Sequence, residues 1–261
     1  MTEGFRAVPA TDGSPPTSTV ELTIVVPFYN PGDRLRANVA AIVRELEGTG
    51  LEFEVVAVSD GSTDGSEAGL TEILGDRVRL IVLPEHEGKG QALRAGLTLG
   101  RGRYLGFIDA DGDLPAALLP SFVSEIRTGR VDIVLGSKRH PSSEVVYPRA
   151  RRLYSWGFQQ LVRLLFDLRV RDTQTGIKVV RREVLEAVLP QMVEKRFAFD
   201  LELLVLAQRR GYRRVSELPV RIGERFGSTI STKAVLRMLS DTLGIWWRLR
   251  VTHAYDPPTW R

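Results

Sequence analysis

Three acids fall within five residues at Asp109, Asp111 and Asp113, directly after the apolar run Tyr104-Leu105-Gly106-Phe107-Ile108. Alternate residues at a strand end aim their side chains the same way, so Asp109 and Asp111, with Ala110 between them, can send hard oxygen ligands into one crevice. Such carboxylates suit Mg²⁺ or Mn²⁺. Asp113 has a second possible duty, since it stands just before Pro115, a residue at home in the first turn of a helix. A second apolar run ends in Ser59-Asp60-Gly61-Ser62-Thr63-Asp64, and a third in Pro27-Phe28-Tyr29-Asn30. Alone, Asp60 reads as part of a turn that launches a helix. In company with Pro27, Tyr29, Asn30 and the aspartates, it reads as an acceptor for a base N–H of a bound nucleotide.

Gly88-Lys89-Gly90-Gln91-Ala92 opens a helix but is no phosphate loop, because Leu83 stands where that motif needs glycine and Gly90 where it needs Ser or Thr. Lys89 is left as a candidate contact to a diphosphate or ribose, or as a solvated lysine. Ser137-Lys138-Arg139 ends another strand, and Arg151 and Ser155 are four apart, on one face of a helix. Ser137, Arg139, Arg151 and Ser155 together form a candidate phosphate site, since guanidinium forks match phosphate oxygens. The run Arg149, Arg151, Arg152 would equally serve as a solvated basic face. Asp200 and Glu202 open a further helix, where the dipole favours carboxylates whatever their task.

The elements that position these residues follow a βαβ rhythm. Strands are expected at Leu22–Val26, Phe53–Val58, Val78–Leu83, Tyr104–Ile108, Val131–Ser137, Ile177–Val180 and Val215–Ile222. Helical period runs through Leu35–Leu46, Ala92–Leu99, Arg149–Phe166, Phe199–Gln208 and Lys233–Val251. Near-continuous apolar strands imply a mostly parallel central sheet with flanking helices, and ligands in such α/β folds bind outside the carboxyl ends of the strands. All the acidic strand ends then share one edge.

With 43% hydrophobic and 26% charged residues, the 261-residue chain has the balance of a globular protein. Cysteine is absent, which removes disulfides, thiolate nucleophiles and Cys-based zinc sites. His86, His140 and His253 lie too far apart for a short metal-ligand spacing. A net charge of +4 is mild, and no nucleic-acid-binding motif is present. Residues 1–19 mix Gly, Pro, Ser and Thr without an apolar signal segment, so a flexible tail that does not direct export is expected.

Taken in order, Val25-Val26-Pro27-Phe28-Tyr29-Asn30, Val58-Ser59-Asp60-Gly61-Ser62-Thr63-Asp64, Gly88-Lys89-Gly90 and Asp109-Ala110-Asp111 resemble the successive signatures of family 2 glycosyltransferases. Asp172-Thr173-Gln174-Thr175-Gly176-Ile177-Lys178 and Arg196 to Leu204 resemble most the dolichyl-phosphate β-glucosyltransferases, with the dolichyl-phosphate mannosyltransferases as near relatives. The likeness covers roughly residues 20 to 235. It implies a GT-A (Rossmann-like, nucleotide-binding) fold and an inverting transferase. It further implies that Asp60 and Tyr29 hold the nucleotide, that Asp109 contacts ribose or metal, and that Asp111 and Asp113 ligate Mg²⁺ or Mn²⁺.

The donor implied is UDP-glucose, with GDP-mannose as the alternative, and the acceptor a polyprenyl phosphate, with a non-lipid glycan as the alternative. Asp200 would position sugar hydroxyls or act as base. Ser59 departs from the family's frequent second acid, and Gly227-Ser228-Thr229 from its frequent Gly-Ser-Lys, a basic group that Lys233 could supply. The chain then divides into a tail (1–19), a transferase domain (20–232), an amphipathic helix (233–251) and a second tail (252–261). On that helix Leu236, Leu239, Leu243, Trp246 and Trp247 recur at three- and four-residue spacing, with Arg237, Asp241 and Arg248 on another face. This pattern fits a helix lying on the cytoplasmic face of a membrane, or one packed into a core.

Overall fold

Leu22–Phe28 and Phe53–Ser59 are buried along their whole length, as strands covered on both faces must be. The computed structural model describes residues 6–7, 20–68, 70, 75–145, 149–222 and 232–256; of residues 6–7, 149–154 and 232–234 it describes the backbone alone. Among the described residues the strands are β1 (Arg6–Ala7), β2 (Leu22–Phe28), β3 (Phe53–Ser59), β4 (Val78–Val82), β5 (Tyr104–Ile108), β6 (Ile133–Ser137), β7 (Glu144–Val145), β8 (Ile177–Arg181), β9 (Val215–Pro219) and β10 (Arg221–Ile222). One sheet has the order β1-β4-β3-β2-β5-β8-β6-β9, and β10 pairs with β7 beside it. Strands β4, β3, β2 and β5 are parallel. Strand β8 runs antiparallel between β5 and β6, and β9 is parallel to β6. The sheet is therefore mostly parallel, as its apolar runs predict.

Side-chain alternation along each strand feeds two cores. Ile24 and Val26 pack with Leu35, Val39 and Ile42 of α1 (Arg34–Glu47) and with Phe122 and Ile126 of α3 (Leu119–Arg127). Val25, Val56, Val58 and Phe107 face the other side. There they meet Leu93 and Leu97 of α2 (Lys89–Leu99), Val184 of α5 (Arg182–Val188) and Leu203 of α6 (Phe199–Arg209). This second core also takes Val162 and Phe166 of α4 (Arg149–Phe166) and Ile245 and Leu249 of α7 (Thr232–Arg250).

Several expectations are corrected. The strand expected over Val215–Ile222 breaks at Val220: Pro219 has no N–H for the ladder, and Val220 N–H turns to Ser143 Oγ at 3.0 Å. Within the expected tail 1–19, Arg6 and Ala7 pair antiparallel with Val82 and Ile81, and the rest lies outside the described residues. Within the expected tail 252–261, Tyr255 is buried and its hydroxyl donates to Glu202 at 2.5 Å. Of the two alternatives for the last helix, the core-packed one applies to one face of α7, which gives Ile245 and Leu249 to the second core. Its expected apolar stripe divides, since Trp246 packs on the core while Leu236, Leu243 and Trp247 remain 63%, 50% and 54% exposed. The buried face is instead built on Thr242, Ile245 and Leu249. No helix among the described residues is long and apolar enough to cross a membrane.

Candidate active site

Parallel pairing of β2 with β3 and β5 brings three strand-end loops to one edge. They are tied together by side chains. Asn30 takes a left-handed φ of 47°, donates its N–H to Ser62 Oγ at 3.1 Å and accepts the Thr63 N–H at 2.8 Å. Asp64 accepts the Gly32 N–H at 2.8 Å. Asn30, expected to touch a donor nucleotide, is thus engaged between loops and does not line the cleft, whereas Pro27 and Tyr29 do.

The cleft encloses about 800 Å³. At one end Asp60, buried, accepts the Glu87 and Gly88 N–H groups at 2.9 Å each and contacts His86 Nδ1 at 2.9 Å. Gly61 lets this loop approach: its φ is +70°, and a Cβ there would fall 2.6 Å from the Glu85 carbonyl carbon. Asp60 thereby sets His86 against Tyr29, ring centroids 3.9 Å apart and stacked. The pair makes an aromatic platform at the rim, and its histidine half went unassigned in the sequence.

In the middle of the cleft Lys89 Nζ meets Asp109 Oδ1 at 2.5 Å. Burial opposes the charge on Lys89, but Asp109, Asp200 and Asp111 outweigh it and hold its pKa above the usual lysine value. Burial, joined by the Asp109 and Asp113 charges, raises the Asp111 carboxyl above its ordinary range against the pull of the Asp113 N–H and Lys89. Asp109, Ala110 and Asp111 line the cleft and Asp113 does not. Asp113 donates its N–H to Asp111 Oδ1 at 3.0 Å in an Asx turn that carries the chain away. The three acids are therefore not gathered as one ligand set, and no group of three such ligands occurs among the described residues. The two cleft carboxylates match the donor set of a cation that completes its shell with water and phosphate oxygens.

Beside them lies a buried ion pair between Asp200, singled out in the sequence, and Lys178, which was not assigned a role there. Lys178 is 0% exposed; its Nζ donates to Asp200 Oδ1 at 2.5 Å and to the Thr175 carbonyl at 2.8 Å, and lies 5.3 Å from the centre of the Phe107 ring. Asp200 lines the cleft. Glu202, two residues along the helix, faces inward instead, accepting the Val193 and Glu194 N–H groups and the Tyr255 hydroxyl. Burial, then Glu202, pushes that phenol far above its usual range. Gln174, Arg196, Phe197 and Arg237 also line the cleft. The first three fall in segments whose pattern was noticed without a role for them; Arg237 on α7 was read only as part of that helix's polar face.

The expected phosphate cluster is assembled in part. Arg139 donates to Ser155 Oγ at 2.9 Å, joining the end of β6 to α4. Ser137 is fully buried, with its Oγ lacking a partner among the described residues. The Arg151 side chain lies outside the described residues. Ser137, Arg139 and Ser155 do not line the main cleft.

An aromatic platform, a lysine and two carboxylates thus meet at the carboxyl edge of a sheet of the GT-A type. Residues 23–189 match the family model described as glycosyl transferase family 2, and the chain belongs to that family. It is 31% identical to "Glycosyltransferase AglD" of Haloferax volcanii over 89% of this chain, although it spans only 38% of that protein. It is 34% identical to the dolichyl-phosphate beta-glucosyltransferase of Drosophila melanogaster, over 93% of this chain and 78% of that one. The fold is shared with glucosyl-3-phosphoglycerate synthase of Mycobacterium tuberculosis, solved with Mg²⁺ and uridine diphosphate: TM-score 0.67 at 18% identity, covering 86% of this chain and 79% of the other.

Proposed function

We propose that this protein transfers glucose from UDP-glucose to a polyprenyl phosphate with inversion, working at the cytoplasmic face of a membrane. The observation that carries the reading is the convergence of Tyr29, Asp60, Lys89, Asp109 and Asp111 on one cleft. The relatives named for dolichyl-phosphate glucosylation support the acceptor. Tyr29 and His86 stack on the uracil, and Asp60 braces that platform while offering its remaining lone pair to a base N–H. Lys89 neutralises diphosphate charge from within the cleft.

Asp109 and Asp111 would hold Mg²⁺ or Mn²⁺, which when bound supplies further neutralisation of the leaving diphosphate. Asp200, fixed by Lys178, holds sugar hydroxyls in place. A phosphate monoester, with a second pKa of about 6, is already largely anionic at neutral pH, so the attacking oxygen needs orientation more than deprotonation. Arg139 and Ser155, with Arg151, give that phosphate its anchor. Leu236, Leu243 and Trp247 form an exposed apolar stripe along α7 beside Arg237 and Arg250, suited to the lipid surface where the acceptor resides. Incubation of the purified protein with UDP-glucose, GDP-mannose and polyprenyl phosphate tests the reading. Glucosyl-phosphoryl-polyprenol, identified by mass, is the expected product; no lipid product from either donor would overturn it.

A further inference from the structure

The turn that leads into β8 is braced from all sides. The Asp172 carboxylate accepts the Lys138 and Gln174 N–H groups at 3.1 and 3.0 Å and the Thr175 hydroxyl at 2.6 Å. Glu217 accepts the Arg171 and Asp172 N–H groups at 2.8 and 3.2 Å. On this fixed turn Gln174 lines the cleft. Because the turn is held by Asp172 and Glu217, the side chain has little left to order when a ligand binds, and it is placed to meet one part of that ligand.

The position of Gln174 says which part of a ligand that is. Two residues on, the Gly176 carbonyl accepts the Asp109 N–H at 3.0 Å, and a Cβ on Gly176 would fall 1.9 Å from Asp109 Oδ2. Gln174 is therefore held beside the acid pair, on a different loop from the Tyr29–His86 platform. One residue on, the Thr175 carbonyl and Asp200 Oδ1 share the same Lys178 ammonium. Lys178 thus locks the Gln174 turn to Asp200. A carboxylate only accepts hydrogen bonds, whereas the Gln174 amide can also donate. Neighbouring hydroxyls of a pyranose, each able to donate and accept, meet such a pair directly.

We propose that Gln174 is a specificity-determining residue that hydrogen-bonds the 4-hydroxyl of the transferred hexose, with Asp200 as its complement and Lys178 as the positioning residue that sets their spacing. This rests on the nucleotide-sugar reading above. The test measures kcat/KM of wild type, Gln174→Ala and Gln174→Glu for UDP-glucose and UDP-galactose, epimers at one hydroxyl, together with the affinities of UDP and UDP-glucose by calorimetry. The expected result is a roughly tenfold fall in preference between the epimers in both variants, the effect of one neutral hydrogen bond, with UDP affinity kept within about twofold. Retained UDP binding also reports that the variants are folded. An unchanged preference, or UDP affinity falling in step with UDP-glucose affinity, would overturn the assignment. A wild type that binds UDP but no nucleotide sugar would instead overturn the transferase reading, and this inference with it.

Discussion

Replacing Lys178 with methionine removes one half of an ion pair in which both side chains are almost wholly withdrawn from water, 0% and 4% exposed. The ammonium also holds the Thr175 carbonyl. Its loss leaves the Asp200 carboxylate buried without its counter-charge, a change that costs about 3–5 kcal/mol when one partner of a buried pair is deleted. Against a total stability of about 5–15 kcal/mol this is a large fraction, and for a domain of this size it lowers Tm by roughly 10 °C. Urea unfolding of Lys178→Met, Asp200→Leu and the double variant, monitored by circular dichroism, measures it. Apolar replacement of a whole buried pair is often close to neutral, so the double variant should regain most of the stability lost by Lys178→Met. It should not regain turnover, because Asp200 lines the cleft. A single variant that loses less than about 1 kcal/mol, or a double variant no more stable than Lys178→Met, would refute the reasoning by showing that Asp200 is solvated through the cleft.

Asp111→Asn should lower turnover at least about a hundredfold with the fold intact by circular dichroism, and chelation of divalent ions should do the same to wild type; undiminished turnover in excess chelator would refute the metal role. Arg139→Ala should raise KM for polyprenyl phosphate while leaving UDP affinity by calorimetry unchanged, and Arg139→Lys should rescue only part of the loss. Burial raises the Asp172 carboxyl, but Lys138, the Thr175 hydroxyl and two backbone N–H groups outweigh it and hold the pKa low. That bond set stabilises the fold above the unfolded pKa of about 4 and is lost as pH falls through the lower folded value, so acid unfolding of Asp172→Asn should show a flatter limb than wild type. Leu243→Ser with Trp247→Ser should abolish flotation with anionic liposomes at low salt, whereas wild type floats; wild type remaining at the bottom at every salt concentration would exclude the lipid contact.

The platform residue His86 and the floor residue Lys178 show why part of the site was illegible. His86 gains meaning only because Asp60, just past the end of another strand, accepts from its loop and turns the ring onto Tyr29. Lys178 follows Ile177 in a strand whose alternation gives no hint that an ammonium will be buried, and its partner lies on a helix 22 positions away. The same applies at the C-terminal end, where Tyr255 looked like tail until Glu202 proved to be its acceptor.

By itself the sequence determined what is local: the apolar runs that must be strands covered on both faces, the turns that end them in Asp60, Asp109 and Asp111, and the helices whose period exposes their faces. Those depend on residues within a few positions of each other, and the parallel-sheet rule then places the strand ends on one edge. The tertiary structure decided what depends on contacts distant in the chain. It brought Asp109 and Asp111 to the cleft and turned Asp113 away, engaged Asn30 between two loops, slid β8 in antiparallel between β5 and β6, and divided the apolar stripe of α7 into a buried and an exposed face. Each outcome is set by which partner a polar or apolar group finds across the fold, and no spacing along a single chain encodes that choice.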